Sequence, residues 1–262
     1  SINKLISYGN ILIPPAYGEL ASGLSGEGRL PEPSEIVDFI EKFYSKSLSL
    51  IGKKVLISAG PTIEELDPVR FISNHSSGKM GFALAETALS LGAEVKLISG
   101  PTDQITSSNK INLVKIKTGA QMQKAIMDDY HESDIVIMAA AVCDYKPTEF
   151  SKKKIKKDNK EINIKFEKTT DILMELGKNK KNQILVGFAL ENNDELSNAK
   201  NKLKKKNLDL IVLNSLNDDG AGFGYDTNKV TVICKSGIKT PYKLKEKTDV
   251  ANDIFKHIIE LI

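Results

Sequence analysis

Three stretches of the chain carry residue types that could do chemistry. The first is SAGPTIEELDPVRFISNHSSGKMG, residues 58–81. It ends in Ser76-Ser77-Gly78 at the start of an expected helix, where free backbone N–H groups and the helix dipole can hold an anion. Asn74 can offer its amide N–H to a developing oxyanion, or can close an Asx turn or cap the helix. Arg70 lies in the same stretch. Arginine occurs only at Arg29 and Arg70, against 37 basic residues in all. A chain this lysine-rich is expected to keep arginine where a planar fork is needed, here on a phosphate or carboxylate. The second stretch is AAAVCDYKP, 139–147. Its small residues let a ligand approach the backbone closely. Asp144 can accept from an exocyclic amine or a ribose, or can be a turn aspartate. The third kind is a pair of lysine runs, SKKKIKKDNKE (151–161) and KNKLKKKN (200–207). Such runs are commonly solvated faces, and the second also suits a helix C-terminus. Close to a ligand, they would neutralise a triphosphate. His75 and Cys143 have no motif partners and read as structural. Neither a GxxxxGK[ST] loop nor a GxGxxG turn is present, since the first turn reads Ala59-Gly60-Pro61. That counts against a nicotinamide-dependent oxidoreductase. A non-catalytic module docking an acidic partner through its lysines is the remaining alternative to an enzyme.

The elements that must position these stretches alternate in type. Strands are expected at 54–59, 94–99, 112–117, 134–142, 184–190 and 208–214. Helices are expected at 81–92, 120–132, 171–178, 194–206 and 248–262. Segments 229–234 and 240–245 read as a hairpin. The alternation predicts an α/β fold: a Rossmann-like, doubly wound, mostly parallel sheet with helices on both faces. Ligands in such folds sit at the carboxyl ends of strands, where all three stretches fall. Residues 1–44 read differently. Ile11 to Pro33 is rich in Gly and Pro with no period and reads as loop. Ser34 can cap a following helix with apolar Ile36, Val37, Phe39, Ile40 and Phe43. So short a segment cannot build its own core. Residues 45–52 read as a linker and 53–262 as the main domain.

Composition bounds the function classes. At 262 residues with a net charge of +3, the chain gives no electrostatic case for nucleic acid. No apolar run approaches the roughly 18 residues that span a bilayer, so no membrane role is expected. Two cysteines make neither a disulfide framework nor a zinc pattern, and the start has no signal-peptide cleavage site. The expectation is a reduced, cytoplasmic protein.

Residues 58–101, with AAAVCDY (139–145), KIKK (154–157), VGFALE (186–191) and KNLDLIVLN (206–214), resemble the phosphopantothenate–cysteine ligase family of the bacterial, CTP-using type. The similarity runs from about Lys53 to the C-terminus. PPAYGELASGLSGEGRLPEP (14–33) is similar to the end of the flavin-dependent decarboxylase half of the bifunctional coenzyme A biosynthesis proteins. Residues 1–44 would then be a remnant of that domain, without its FMN-binding body. The family's A-C-G element, whose cysteine donates a proton, reads Ala21-Ser22-Gly23 here, and a serine hydroxyl is a far weaker acid than a thiol. No decarboxylase activity is therefore expected from this chain. The resemblance implies a ligase joining 4′-phosphopantothenate to L-cysteine through an acyl-cytidylate, with CTP as substrate and Mg²⁺ (or Mn²⁺) as the cation. It implies that Asn74 holds the acyl-cytidylate carbonyl and Lys154 contacts the nucleotide phosphates. Met138, Ala139, Ala140, Asp144, Thr170, Asp171, Ile172, Leu173, Phe188, Lys202 and Lys206 would surround CTP. Arg70, Ser76, Ser77 and Gly78 would meet the acid's phosphate or carboxylate. Position 170 departs from the family's N-P-D-I block, reading Thr169-Thr170-Asp171-Ile172. A homodimer is also implied, with 229–245 a candidate contact. The KxKK segment would be a lid over the reactive anhydride.

Overall fold

The computed structural model describes residues 2–8, 10–19, 22–156, 163–215, 217, 220–222 and 224–262, with backbone alone at 42 and 44–47. Ala21 of the expected A-C-G position and Lys157 of the lysine run lie outside the described residues. The chain divides into two units, Ser1–Ser49 and Leu50–Ile262.

The first unit holds α1 (Ile2–Ser7), β1 (Ala16–Glu19), β2 (Ser25–Arg29) and α2 (Pro33–Ser47). β1 and β2 pair antiparallel, with Tyr17 opposite Glu27. This corrects the expectation of loop over Ile11–Pro33: strands of four and five residues containing glycine show no alternation to read. Helix α2 starts at Pro33 rather than after Ser34, because proline's fixed φ suits a first helical position. Glu35 reaches back to accept the Glu32 N–H at 2.9 Å, the reciprocal half of a capping box. Val37 and Ile40 on this helix are exposed. The second unit begins ahead of the expected boundary at 53. Leu50 is fully buried in its core, and its N–H donates to Leu91 O at 2.9 Å.

The second unit runs β3 (Lys54–Ala59), β4 (Ile63–Glu65), β5 (Phe71–Ser73), α3 (Lys79–Ser90), β6 (Glu94–Ser99), β7 (Asn112–Lys115), α4 (Gly119–Tyr130), β8 (Ile135–Met138), β9 (Tyr145–Pro147), β10 (Phe166–Lys168) and α5 (Ile172–Lys178). It continues with β11 (Ile184–Glu191), α6 (Glu195–Lys205), β12 (Leu210–Ser215), β13 (Thr227–Asn228), β14 (Val230–Cys234), β15 (Lys239–Pro241), β16 (Lys245–Glu246) and α7 (Lys247–Ile259). Eight strands form one sheet in the order β15-β14-β12-β11-β8-β3-β6-β7. From β7 to β12 all neighbours are parallel; β14 and β15 close one edge antiparallel, as the expected hairpin. Helices α3 and α7 cover one face, where Leu84, Ala88, Ile254 and Phe255 meet Val55, Ile57, Val95 and Val212. On the opposite face α4, α5 and α6 bring Met122, Ile126, Leu176 and Leu203 against Leu56, Val136, Leu185 and Ile211. The doubly wound, mostly parallel architecture is thus the observed one. Adjacent strand residues alternate between the two cores, which is why these strands read as continuous apolar runs.

Helix α3 lies unusually close to β3. A Cβ added at Gly81 would stand 2.5 Å from the Ala59 Cβ. Thr118 caps α4 with a complete capping box through Gln121. Among the described residues no helix is long and apolar enough to cross a membrane.

Candidate active site

The chain crosses over β3 between β6–β7 on one side and β8–β11–β12 on the other. At that reversal the loops leaving β3 and β8 separate outward, and a crevice opens beyond the strand ends. Here the two loops are stitched together at their base. Ala141 N–H donates to Gly60 O at 2.9 Å, Thr62 N–H donates to Ala141 O at 3.2 Å, and Cys143 N–H donates to Thr62 Oγ1 at 2.9 Å. Above this seam lies a cavity of about 390 Å³.

Each wall has a definite source. The turn into α3 supplies Asn74, Ser76, Ser77 and Gly78, followed by Lys79, Met80 and Gly81. Gly78 caps the helix at φ 78°, a conformation glycine takes without strain. A Cβ there would also press on Thr102 Oγ1 at 3.1 Å. The loop after β8 supplies Ala139, Ala140, Ala141, Val142 and Asp144; β11 supplies Phe188 to Leu190, and α6 supplies Lys202. Asn74 bridges the first two walls: its Nδ2 donates to Ala141 O and Val142 O, each at 3.1 Å. The helix start, the Asn74 amide, the alanine loop, Asp144, Phe188 and Lys202 therefore share one cavity.

The other expected site residues sit around or away from it. Met138 is buried beneath the alanine loop at the end of β8. Thr170 precedes α5, and Asp171 caps that helix by accepting the Met174 N–H at 3.0 Å. Ile172 and Leu173 are buried in the core. Lys206 pairs with Asp171 at 2.9 Å. Burial raises the Asp171 carboxyl, and Lys206 with the Met174 N–H outweighs it, leaving its pKa below the usual range. Lys202 Nζ donates to Phe188 O at 2.7 Å, and burial, then Lys206, pushes its pKa down.

Arg70 does not line the cavity. Its Nε and Nη2 donate to Asp67 Oδ2 at 3.0 and 2.5 Å, and Nη2 also donates to Ile155 O at 2.7 Å. Ile155 N–H donates to Asp67 at 3.1 Å. The arginine fork thus ties the 66–70 turn to the lysine segment beside Lys154, which is itself exposed. The Arg70 guanidinium holds the buried Asp67 carboxyl far below the usual carboxylate range. In the first unit, Ser22 is exposed in the turn between β1 and β2. Cys143 is buried, and burial pushes its thiol pKa up, so it is a poor nucleophile.

Sequence reasoning missed the far wall. Asn214 at the end of β12, Asn228 in β13 and Lys247 also line the cavity. Asn214 Oδ1 is buried without a hydrogen-bond partner among the described residues, so a ligand donor placed there would relieve a real penalty. The signal available was position: Asn214 is the polar residue that ends the buried run LDLIVLN. Among the described residues no three His, Cys, Asp or Glu side chains cluster to hold a metal. Asp144 is the carboxylate on the cavity wall.

Known proteins are similar to this chain over most of its length. The family described as DNA/pantothenate metabolism flavoprotein C-terminal domain matches residues 50–262. A protein named cysteine/cysteine sulfinic acid decarboxylase, from an unknown prokaryotic organism, is 52% identical over all of this chain and 74% of its own length. The coenzyme A biosynthesis bifunctional protein CoaBC of Bacillus subtilis (strain 168) is 46% identical over all of this chain. The chain spans 65% of that protein's length. The crystal structure of the C-terminal domain of a CoaBC protein superposes with a TM-score of 0.71 at 40% identity, covering 82% of this chain and 98% of that one.

Proposed function

On the premise that this chain belongs to the DNA/pantothenate metabolism flavoprotein C-terminal domain family, which includes the CoaBC proteins of coenzyme A biosynthesis, we propose that it ligates 4′-phosphopantothenate to L-cysteine at the expense of CTP. A carboxylate oxygen of the acid attacks the α-phosphorus, the bond to the β-phosphate oxygen breaks, and pyrophosphate leaves. The amine nitrogen of cysteine then attacks the acyl carbon. The acyl C–O bond breaks, CMP leaves, and the attacking neutral amine gives up one proton to solvent, the amide nitrogen keeping the other.

The observation that carries this reading is the meeting, in one cavity, of a helix N-terminus with the alanine loop, Asp144, Phe188 and Lys202. One end suits a phosphate and the other a nucleotide, with Asn74 between them. In this reading Ser76, Ser77 and Gly78 take the acid's phosphate on backbone N–H groups. Phe188 packs on the base, Asp144 accepts from the nucleoside, and Lys202 offsets phosphate charge. Asn74 turns its amide from the Ala141 and Val142 carbonyls toward the acyl oxygen, where negative charge develops. Lys154 approaches the triphosphate as the segment anchored at Ile155 closes. Magnesium would arrive with CTP and screen the repulsion between two anions. Residues 1–44 are, on the same reading, the end of a decarboxylase domain.

The test is pyrophosphate release from CTP, phosphopantothenate and Mg²⁺ before cysteine is added. Release of about one equivalent per site supports an acyl-cytidylate; its absence at saturation contradicts it. The relative named as a decarboxylase favours a second reading, loss of CO₂ from cysteine. CO₂ formed from labelled cysteine without CTP would support that instead.

A further inference from the structure

Lys247 opens α7 and is 7% exposed, yet among the described residues its ammonium donates to backbone carbonyls. Nζ donates to the carbonyl of Tyr225, to Thr227 O at 2.9 Å and to Gly222 O at 3.4 Å. Its own backbone N–H donates to Asp226 O at 2.9 Å. From the other side Lys79 Nζ, on the first turn of α3, donates to Gly224 O at 2.9 Å and to Asp226 Oδ1 at 2.7 Å. Gly224 to Thr227, the first four residues of the run 224–228, are thus held in turn by the two ammonium groups. The run ends at Asn228, which is 1% exposed and lines the cavity.

Burying an ammonium is costly unless its donors are met. Burial, then Lys79, pushes the Lys247 pKa down, while Asp226 and Glu246 oppose them. Covering this helix end with an apolar side chain would avoid that cost. The charge stands where carbonyl oxygens converge, an arrangement that a small monovalent cation would also fill. We propose that Lys247 is a positioning residue: a tethered cation whose carbonyl cage fixes the run 224–228 and so seats Asn228, at its end, in the cavity wall, setting the fit of the acid bound there. The effect on the acid rests on the ligase reading; the cage does not.

The experiment is Lys247→Met in the whole chain. Amide exchange at 225–228 is expected to quicken about tenfold or more while β12 amides keep their protection. KM for phosphopantothenate should rise about tenfold, with kcat within about twofold of the parent. Ammonium or methylammonium should restore both readouts, and bulky tetramethylammonium should restore neither. Unchanged exchange at 225–228, equal quickening in β12, a fall in kcat without a rise in KM, or no restoration by ammonium would each overturn the proposal. Should Lys247→Met fail to fold, Lys247→Gln keeps two donors without the charge. Partial protection, improved by ammonium, is then expected, and parental protection without ammonium overturns the need for a cation. If the chain makes no product from phosphopantothenate, exchange and its restoration still decide for Lys247, and only the ligase reading fails.

Discussion

Gly81→Ala tests how the packing of α3 on β3 sets the cavity. The new methyl would lie 2.5 Å from the Ala59 Cβ, 3.0 Å from the Ala59 Cα and 3.1 Å from Ser58 O. Ordinary carbon contacts are about 3.5–4.0 Å, so the helix must retreat by about 1 Å. Overpacking of this kind costs about 1–3 kcal/mol, and alanine's better helix propensity returns about 0.8–1 kcal/mol. The net loss is about 0–2 kcal/mol, which should lower Tm by up to roughly 8 °C for a domain of this size. The retreat also carries Gly78 and Lys79, three and two residues upstream, away from the alanine loop. A displacement of about 1 Å at a reacting centre can cost about 100-fold in rate. Thermal unfolding with turnover on the same preparation reads both effects. An unchanged Tm with parental turnover would refute the argument that this contact positions the helix start.

Asn74→Asp places a carboxylate against the Ala141 and Val142 carbonyls and beside the developing oxyanion, so turnover should fall about 100-fold or more with CTP affinity largely kept. Lys154→Gln should weaken CTP handling instead, and equal losses of CTP affinity in both, by calorimetry, would show the roles misassigned. Tyr130 is fully buried and its hydroxyl donates to Leu176 O at 2.7 Å; Tyr130→Phe should cost about 1–2 kcal/mol in urea unfolding, and no change would mean the bond contributes nothing. Asp67 has a folded pKa held below its ordinary 3.8, so the stability it contributes is complete above that value and drains away as pH falls below it. Asp67→Asn should therefore flatten the acid limb of a stability–pH curve below about pH 4, and an unchanged slope would show that Asp67 contributes none of it.

The sheet was legible because it is wrapped on both sides. Val55 to Ile57 in KVLISA and Leu210 to Leu213 in LDLIVLN are apolar at successive positions, since each faces one core or the other. The paired strands β4–β5 and β9–β10 leave no mark in the sequence, because three-residue strands carry no period. On the site, the helix start at Ser76–Gly78 and the alanine loop were visible as small residues at strand ends. Arg70 shows where residue type misleads: a rare arginine does use its fork, but on Asp67 and Ile155 O. Lys247 was invisible for the opposite reason, being one lysine among many on an amphipathic helix. What distinguishes it is the folding back of a distant loop onto its ammonium.

The central claim is that a cytidylyl group passes to the carboxylate of the acid. Phosphopantothenate labelled with ¹⁸O in that carboxylate tests it directly. With CTP, Mg²⁺ and cysteine, one labelled oxygen should appear in the phosphate of CMP. CMP free of label, or label recovered in pyrophosphate or inorganic phosphate, would contradict it.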